Sequence, residues 1–337
     1  MSSNIRTWSY DPAFAVGTQP CDRMEQQIEA SYIEAYRSGR LKEAGARARR
    51  WMKKCTLCPR LCRVDRLSDE KGYCRTGRLA IVASYGPHYG EERPLVGKGG
   101  SGTIFFSHCN LFCTFCQNYD ISHGGEGTAA PAEVLAEIML SLQNGGCHNI
   151  NFVTPSHVIH PILEALPTAI ERGLNIPLVY NCGGYERVSA LKLLNGIVDI
   201  YMPDFKFWSS EASRELCDAP DYPERARLAL KEMHRQVGDL LLDERGVAQR
   251  GLLVRHLVMP NDLAGTSGVV GFIAGEISPR TYVNIMDQYH PCGGAFRNTG
   301  INRRTSPEEF RDALDMARRA GLVRLDDRHR HWVSIEL

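Results

Sequence analysis

His108-Cys109-Asn110-Leu111-Phe112-Cys113-Thr114-Phe115-Cys116-Gln117-Asn118 sets three thiols in the spacing C-x3-C-x2-C, directly after the apolar run Gly102-Thr103-Ile104-Phe105-Phe106. Three thiolates on one short loop can hold three irons of a [4Fe-4S] cubane and leave the fourth iron open, which is where chemistry can be done. The apolar run reads as a strand, so the loop stands at a strand's C-terminal end.

Other readings of Cys109, Cys113 and Cys116 fit the spacing less well. A structural zinc site wants four ligands, usually as two pairs separated by a longer loop. His108 is available as a fourth ligand but abuts Cys109, where a tetrahedral site is hard to close. A disulfide leaves one thiol over, and three buried core cysteines would need no such regular spacing. The pattern therefore predicts an iron–sulfur enzyme with Cys109, Cys113 and Cys116 as the catalytic cluster ligands.

Composition agrees. A chain of 337 residues with 43% hydrophobic residues can bury one large core plus an appendage. The formal net charge of +1 argues against nucleic acid or an anionic membrane as partner. No apolar run approaches the roughly 20 residues of a membrane span, and the N-terminus carries no apolar signal core. A cytoplasmic protein is expected. Twelve cysteines, seven of them in two tight groups, then read as reduced metal-binding thiols.

Residues 1–54 form a helical appendage on this reading. Met24, Ile28, Tyr32, Ile33 and Tyr36 recur roughly at helical spacing, and Ser38-Gly39 breaks the run into two helices. The basic stretch Arg47-Ala48-Arg49-Arg50 reads as a solvated helix face rather than a nucleic-acid patch. Residues 55–99 carry Cys55-x2-Cys58-x3-Cys62-x11-Cys74, with Pro59 and Gly72 supplying turns. Four thiolates leave no open coordination position, so this site is structural or an electron relay. Zinc and a second [4Fe-4S] cluster both suit it, and the loop pattern leans to zinc.

Residues 100–300 alternate short apolar runs (103–107, 149–154, 177–181, 197–202, 252–259 and 282–286) with helix-like stretches at 131–143, 158–172, 185–194 and 224–237. Near-continuously apolar strands alternating with helices predict a parallel sheet buried on both faces. Six such units make a partial, open (β/α)6 TIM-like barrel, with functional residues at the strands' C-terminal ends. Residues 301–337 add a last helix, Ser306–Ala320, and a tail ending Trp332-Val333-Ser334-Ile335 that supplies a short strand or a cap.

The strand ends bear chemistry in order. Strand two runs into Thr154-Pro155-Ser156-His157, where His157 is either a ligand or a helix-start residue. Strand three ends Tyr180-Asn181-Cys182-Gly183-Gly184, whose glycines allow close backbone approach to a ligand and whose Cys182 reads as packing. Strand four ends in Asp204-Phe205-Lys206, two charges on alternate residues that point the same way and need each other or a ligand. Strand five contains Arg255, a lone cation in an apolar strand that requires an anionic partner, either a ligand or a protein carboxylate. Strand six ends Met286-Asp287-Gln288-Tyr289-His290. Cys21, Cys147, Cys217 and Cys292 read as unliganded thiols, with Cys292 the one beside the expected mouth.

With Phe115 just before its third cysteine, the C-x3-C-x2-C loop resembles that of the radical S-adenosylmethionine superfamily. The resemblance implies a [4Fe-4S] cluster, S-adenosylmethionine bound at its open iron, and reductive cleavage of the sulfonium to a 5'-deoxyadenosyl radical. Residues 100–300 resemble the pyruvate formate-lyase activating enzyme-like branch. Cys-Thr-Leu-Cys-Pro at 55–59, Asn-Phe-Val-Thr-Pro-Ser-His at 151–157, Tyr-Met-Pro-Asp-Phe-Lys at 201–206 and Asn-Ile-Met-Asp-Gln-Tyr at 284–289 are similar to its activating enzyme-related subgroup.

That resemblance implies a cofactor site of Phe115, Asn181, Asp204, Lys206, Arg255 and His290. The superfamily's GGE segment after strand two is absent, which passes the amino-group contact to backbone carbonyls and Ser156. The expected substrate is a small molecule or a peptide, with an electron donor such as flavodoxin or ferredoxin. A glycyl radical enzyme as protein partner is the alternative, and a non-catalytic iron–sulfur electron-transfer protein is the alternative outside enzymes.

Overall fold

A computed structural model describes residues 28–326 of the chain. Its strands are β1 (Ala80–His88), β2 (Ser101–Phe106), β3 (Thr128–Ala130), β4 (Ile150–Val153), β5 (Leu178–Cys182), β6 (Ile200–Pro203), β7 (Leu241–Leu242), β8 (Ala248–Leu257), β9 (Tyr282–Met286) and β10 (Arg324–Leu325). They join in the order β10-β9-β8-β6-β5-β4-β2-β1-β3, with β7 attached to β8. From β2 to β10 every pair on that path is parallel. The six apolar runs of the sequence are β2, β4, β5, β6, β8 and β9, side by side in chain order. Among the described residues β10 and β3 do not pair, so the sheet is a partial, open TIM-like barrel.

The strands' period of two divides the core. Val179, Ile200, Met202, Ala248 and Leu253 pack together on the inner face, while Tyr180, Tyr201, Leu252 and Val254 face outward into the larger core under the helices. On the inner face, parity leads from Val179 to Asn181, from Met202 to Asp204 and from Leu253 to Arg255. The inner face thus changes from apolar to polar toward the strands' C-terminal ends.

The helices Ala132–Asn144, Ile159–Glu171 and Tyr222–Val237 lie close to the stretches expected from the sequence, as does Pro307–Arg319, which starts with a capping box from Ser306 and Glu309. Between β5 and β6 only short helical turns form, Val188–Leu191 and Lys192–Leu194. Four elements were not legible in the sequence: the antiparallel strands β1 and β3, and the helices Ser210–Cys217 and Thr266–Phe272. In β1, Gly86-Pro87 reads as a turn, yet both residues pair with β2. The stretch that follows the four cysteines therefore enters the sheet itself.

The N-terminal helices Ser31–Arg37 and Arg40–Met52 are separated at Ser38-Gly39, where Gly39 takes a φ of 80°. Arg47, Arg49 and Arg50 are exposed and Ala48 is buried, as a solvated basic face requires. The second helix packs on Ile159–Glu171. Met24 and Cys21, and the tail at Trp332–Ile335, lie outside the described residues; the tail's strand within them is β10, parallel to β9. No described helix is long and apolar enough to cross a membrane.

Asp199 fastens the appendage to the sheet. Its carboxylate accepts the Ser31 N–H at 2.7 Å and the buried Leu178 N–H at 2.9 Å, beside the Tyr32 hydroxyl that donates to the Ile176 carbonyl at 2.9 Å. Burial pushes its carboxyl up to about 6, against the pull of these donors. Asp199→Ala leaves two backbone donors without an acceptor and is expected to lower unfolding stability by about 2 kcal/mol in urea titration. An unchanged midpoint would show that the appendage is not held this way.

Candidate active site

The thiol loop leaves β2 through a backbone that only its surroundings can hold. His108 and Phe112 take left-handed φ values of 68° and 53°, unusual for such residues. The Cys109 thiol accepts the Leu111 N–H at 3.3 Å. Thr114 is pinned on both sides, its N–H to the Leu216 carbonyl at 2.9 Å and its carbonyl to the Gly294 N–H at 2.7 Å. Phe115 is 4% exposed and meets Phe207 edge-on at 5.8 Å and Tyr289 at 6.1 Å.

These residues border a cavity of about 380 Å³ at the C-terminal ends of the parallel strands, in the size range of a small-ligand site. Cys109, Cys113, Phe115 and Cys116 form one wall; Asn181, Asp204, Lys206 and Arg255 form another. Arg255 donates to Asp204 through Nε at 2.9 Å and to Asn181 Oδ1 at 2.7 Å. Lys206 Nζ donates to the other Asp204 oxygen at 2.5 Å. Burial alone would raise Asp204, but the two cations overcome it and hold the carboxyl below its ordinary value. Burial would likewise lower Lys206 and Arg255, and Asp204 outweighs it, raising both.

The structure does not bring every expected residue to this cavity. Ser156 is buried behind β5, where its hydroxyl donates to Glu186. The residues after β4 turn into a 3-10 helix over Pro155–His157, which carries Ser156 away from the wall. His157 is neither a solvent-facing residue nor a cavity residue: its ring meets the Ser107 carbonyl at 2.9 Å, and burial drops its pKa to about 3. His290 lies off the cavity wall, with Nδ1 3.2 Å from the Gln288 carbonyl, while Gln288 takes the lining position. Cys182, by contrast, lines the cavity from a buried position, and Cys292 is half-buried outside it.

Two lining groups were missed, as was the contact that the Cys217 thiol makes. Glu91 and His88 reach the cavity from the β1 turn; Glu91 stands 3.5 Å from Arg255 and 3.4 Å from His88. The adjacent acids Glu91-Glu92, directly before the short helix Arg93–Val96, were the available signal. Cys217, at the end of helix Ser210–Cys217, places its sulfur 3.2 Å from that of Cys113. This contact, then burial, raises the Cys113 thiol well above its ordinary value.

The donor set fits a thiolate-bound cluster. Backbone N–H groups point at the sulfurs of Cys109 and Cys116, the Ser122 hydroxyl joins at Cys116, and Lys206 places positive charge beside Cys113 and Cys116. Burial first, then the neighbouring Cys113, raises both the Cys109 and the Cys116 thiol, and these donors pull the other way, toward the deprotonated sulfur that metal binding demands. In the second group burial first, then the three sister thiols, Cys74 foremost, raise Cys58. A Cβ on Gly72 would lie 2.7 Å from the Cys62 sulfur, so only glycine fits there. The guanidinium of Arg66, 1% exposed, sits near Cys74 with one nitrogen unpartnered. Among the described residues no three His, Cys, Asp or Glu side chains converge as ligands of one ion.

The radical SAM superfamily model matches residues 103–240, the stretch from β2 past β6. An uncharacterized protein of Methanocaldococcus jannaschii is 34% identical over 283 residues, covering 82% of this chain and 77% of that protein. The chain belongs to the radical SAM superfamily. Membership implies a [4Fe-4S] cluster, S-adenosylmethionine and a reductant, and makes the protein an enzyme. Among solved structures it is similar to a radical SAM methyltransferase from Sphaerobacter thermophilus, at 14% identity and a TM-score of 0.47 over 66% of this chain and 65% of that one. The FeFe-hydrogenase maturase HydG from Carboxydothermus hydrogenoformans is 12% identical, at a TM-score of 0.47 over 65% of this chain and 51% of that one.

Behind the cavity of this radical SAM protein lies Glu186, fully buried, accepting from the Ser156 and Tyr180 hydroxyls and holding no ion pair among the described residues. Burial pushes its carboxyl up to about 7, with those donors partly opposing. The folded state therefore keeps this proton to higher pH than the unfolded chain does. The stabilisation is complete below the unfolded value of about 4.3 and is lost as pH rises through 7. Glu186→Gln is expected to flatten stability between pH 5 and 8, gaining up to about 3 kcal/mol at the alkaline end. Parallel urea titrations at several pH values check this, and superimposable pH dependences would refute it.

Proposed function

We propose that Cys109, Cys113 and Cys116 hold the [4Fe-4S] cluster and that the cavity beside them binds S-adenosylmethionine and a small-molecule or peptide substrate. The observation that carries this is the cavity itself, walled by three thiols and by the Arg255–Asp204–Lys206–Asn181 network. When bound, cluster and S-adenosylmethionine supply a 5'-deoxyadenosyl radical by one-electron cleavage of the sulfonium, and the radical takes hydrogen from a substrate carbon.

The protein's own residues bind, orient and exclude. Lys206 and Arg255 offer charge to the cofactor's carboxylate, Asp204 and Glu91 to its ammonium and sulfonium, and Asn181 both donates and accepts at ribose hydroxyls. Phe115, wedged between Phe207 and Tyr289, holds the third cysteine in place and keeps water from that wall. Cys55, Cys58, Cys62 and Cys74 would hold a second metal centre, zinc or a [4Fe-4S] cluster, once their sulfurs draw together on it, and the buried Arg66 would offset its negative charge. Asp204-Phe205-Lys206 and Tyr289-His290 support the pyruvate formate-lyase activating enzyme-like branch. An electron donor of the flavodoxin or ferredoxin class suits the reductant.

Protein reconstituted with iron and sulfide without oxygen, then reduced, is expected to convert S-adenosylmethionine to 5'-deoxyadenosine, and Cys113→Ala to yield none. Product from Cys113→Ala, or none from the reduced parent with any candidate substrate present, would defeat the assignment. Arg255→Ala removes three contacts from the network and should weaken S-adenosylmethionine binding roughly 30-fold, about 2 kcal/mol, by calorimetry on the reconstituted protein. A dissociation constant within threefold of the parent would place the cofactor elsewhere.

A further inference from the structure

Arg60 lies between Cys58 and Cys62, and its backbone N–H points at the Cys58 thiol. Its side chain leaves the four-cysteine segment altogether. Nε donates to the Asn110 carbonyl at 2.9 Å, and the terminal nitrogens donate to the carbonyls of Leu111 at 3.5 Å, Cys217 at 3.0 Å and Asp218. The nearest carboxylate in this set, Asp218, is 3.9 Å away and 77% exposed, so little of the side chain's energy comes from an ion pair. The cation is held by carbonyl dipoles and by the faces of Tyr73 at 3.7 Å and Tyr185 at 5.2 Å.

Both ends of this strap matter. Asn110 and Leu111 separate Cys109 from Cys113, and the Cys217 thiol faces Cys113. The residues around Cys74 grip the same loop: Tyr73 meets Phe112 edge-on at 5.4 Å, and Arg75 lies 4.9 Å over the Phe112 ring while donating to the His123 carbonyl at 3.1 Å. Phe112 is the loop residue held at a left-handed φ of 53°, a conformation that persists only where neighbours enforce it. The residues flanking one set of thiols therefore shape the residues flanking the other.

We propose that Arg60 is a positioning residue which couples the two thiol groups, so that metal bound by Cys55, Cys58, Cys62 and Cys74 sets the geometry of the Cys109–Cys116 loop. The proposal rests on reading that loop as the cluster site. Metal on Cys58 fixes the turn that carries Arg60, and the planar guanidinium transmits this to two segments at once, which a lysine ammonium cannot do with the same geometry. Arg60 touches neither the cofactor nor the reacting atoms; it acts through the carbonyls it holds.

The test uses the full-length reconstituted protein with Arg60→Ala, Arg60→Lys, Cys74→Ser and the double variant Arg60→Ala with Cys74→Ser. Readouts are the electron paramagnetic resonance spectrum of the Cys113-dependent cluster, its change on adding S-adenosylmethionine, and the rate at which a chelator removes that cluster's iron. Arg60→Ala is expected to speed iron removal ten- to a hundredfold, the usual range for groups that orient metal ligands, and to abolish the spectral change with S-adenosylmethionine. Arg60→Lys should fall between Ala and the parent. Cys74→Ser should reproduce the Arg60→Ala effect, and the double variant should add nothing further. A parental spectrum and iron-release rate in Arg60→Lys and Cys74→Ser would overturn the coupling, as would additive effects in the double variant. A parent protein with no Cys113-dependent signal would instead overturn the cluster assignment, so the two failures are distinct.

Discussion

The Arg255–Asp204 pair is the constraint around which the mouth of the barrel is built. It closes the end of the β6–β8 seam, where the two residues form a parallel bridge and the Phe205 N–H reaches the Arg255 carbonyl at 2.8 Å. Taking two charges out of water costs several kcal/mol per ion unless every lone pair and proton finds a partner. Asn181 and Lys206 complete that set, with Glu91 approaching from β1. One inward position on each of three neighbouring strands is thus committed to a single network, which orients the polar end of the inner face toward the thiols.

The rest of the molecule supports this arrangement from outside. Helices seal the sheet's outer face, and Asp199 binds the N-terminal helix pair beneath β5 and β6. At the opposite end, the four-cysteine segment lays Arg60, Tyr73 and Arg75 against the thiol loop. Glu186 fills the layer behind β5 as a carboxyl that burial keeps protonated near neutrality. Its contact with the Tyr180 hydroxyl places it against β5, the strand that carries Asn181.

Some of this was legible from residues 102–118 and the strand ends alone. C-x3-C-x2-C after an apolar run, Asp204-x-Lys206 and the lone Arg255 are local patterns whose chemistry is written in adjacent residues, and strand parity then carries Asn181, Asp204 and Arg255 inward together. Ser156 and His290 illustrate the limit. Each follows a strand as the cavity residues do, but a turn over Pro155–His157 and the chain beyond Met286 direct them elsewhere. Loop conformation after the last paired residue is not a periodic property, so spacing could not decide it.

By itself the sequence determined the alternation of strands and helices, the open parallel barrel and the identity of the thiol loop, because hydrophobic period and ligand spacing act over a few residues. Tertiary structure alone decided that Glu91 would meet Arg255, that Cys217 would face Cys113 and that Arg60 would join two thiol groups 50 residues apart. Those contacts depend on how β1 and helix Ser210–Cys217 settle against the barrel, and long-range packing of buried charge and sulfur has no signature in any one stretch of chain.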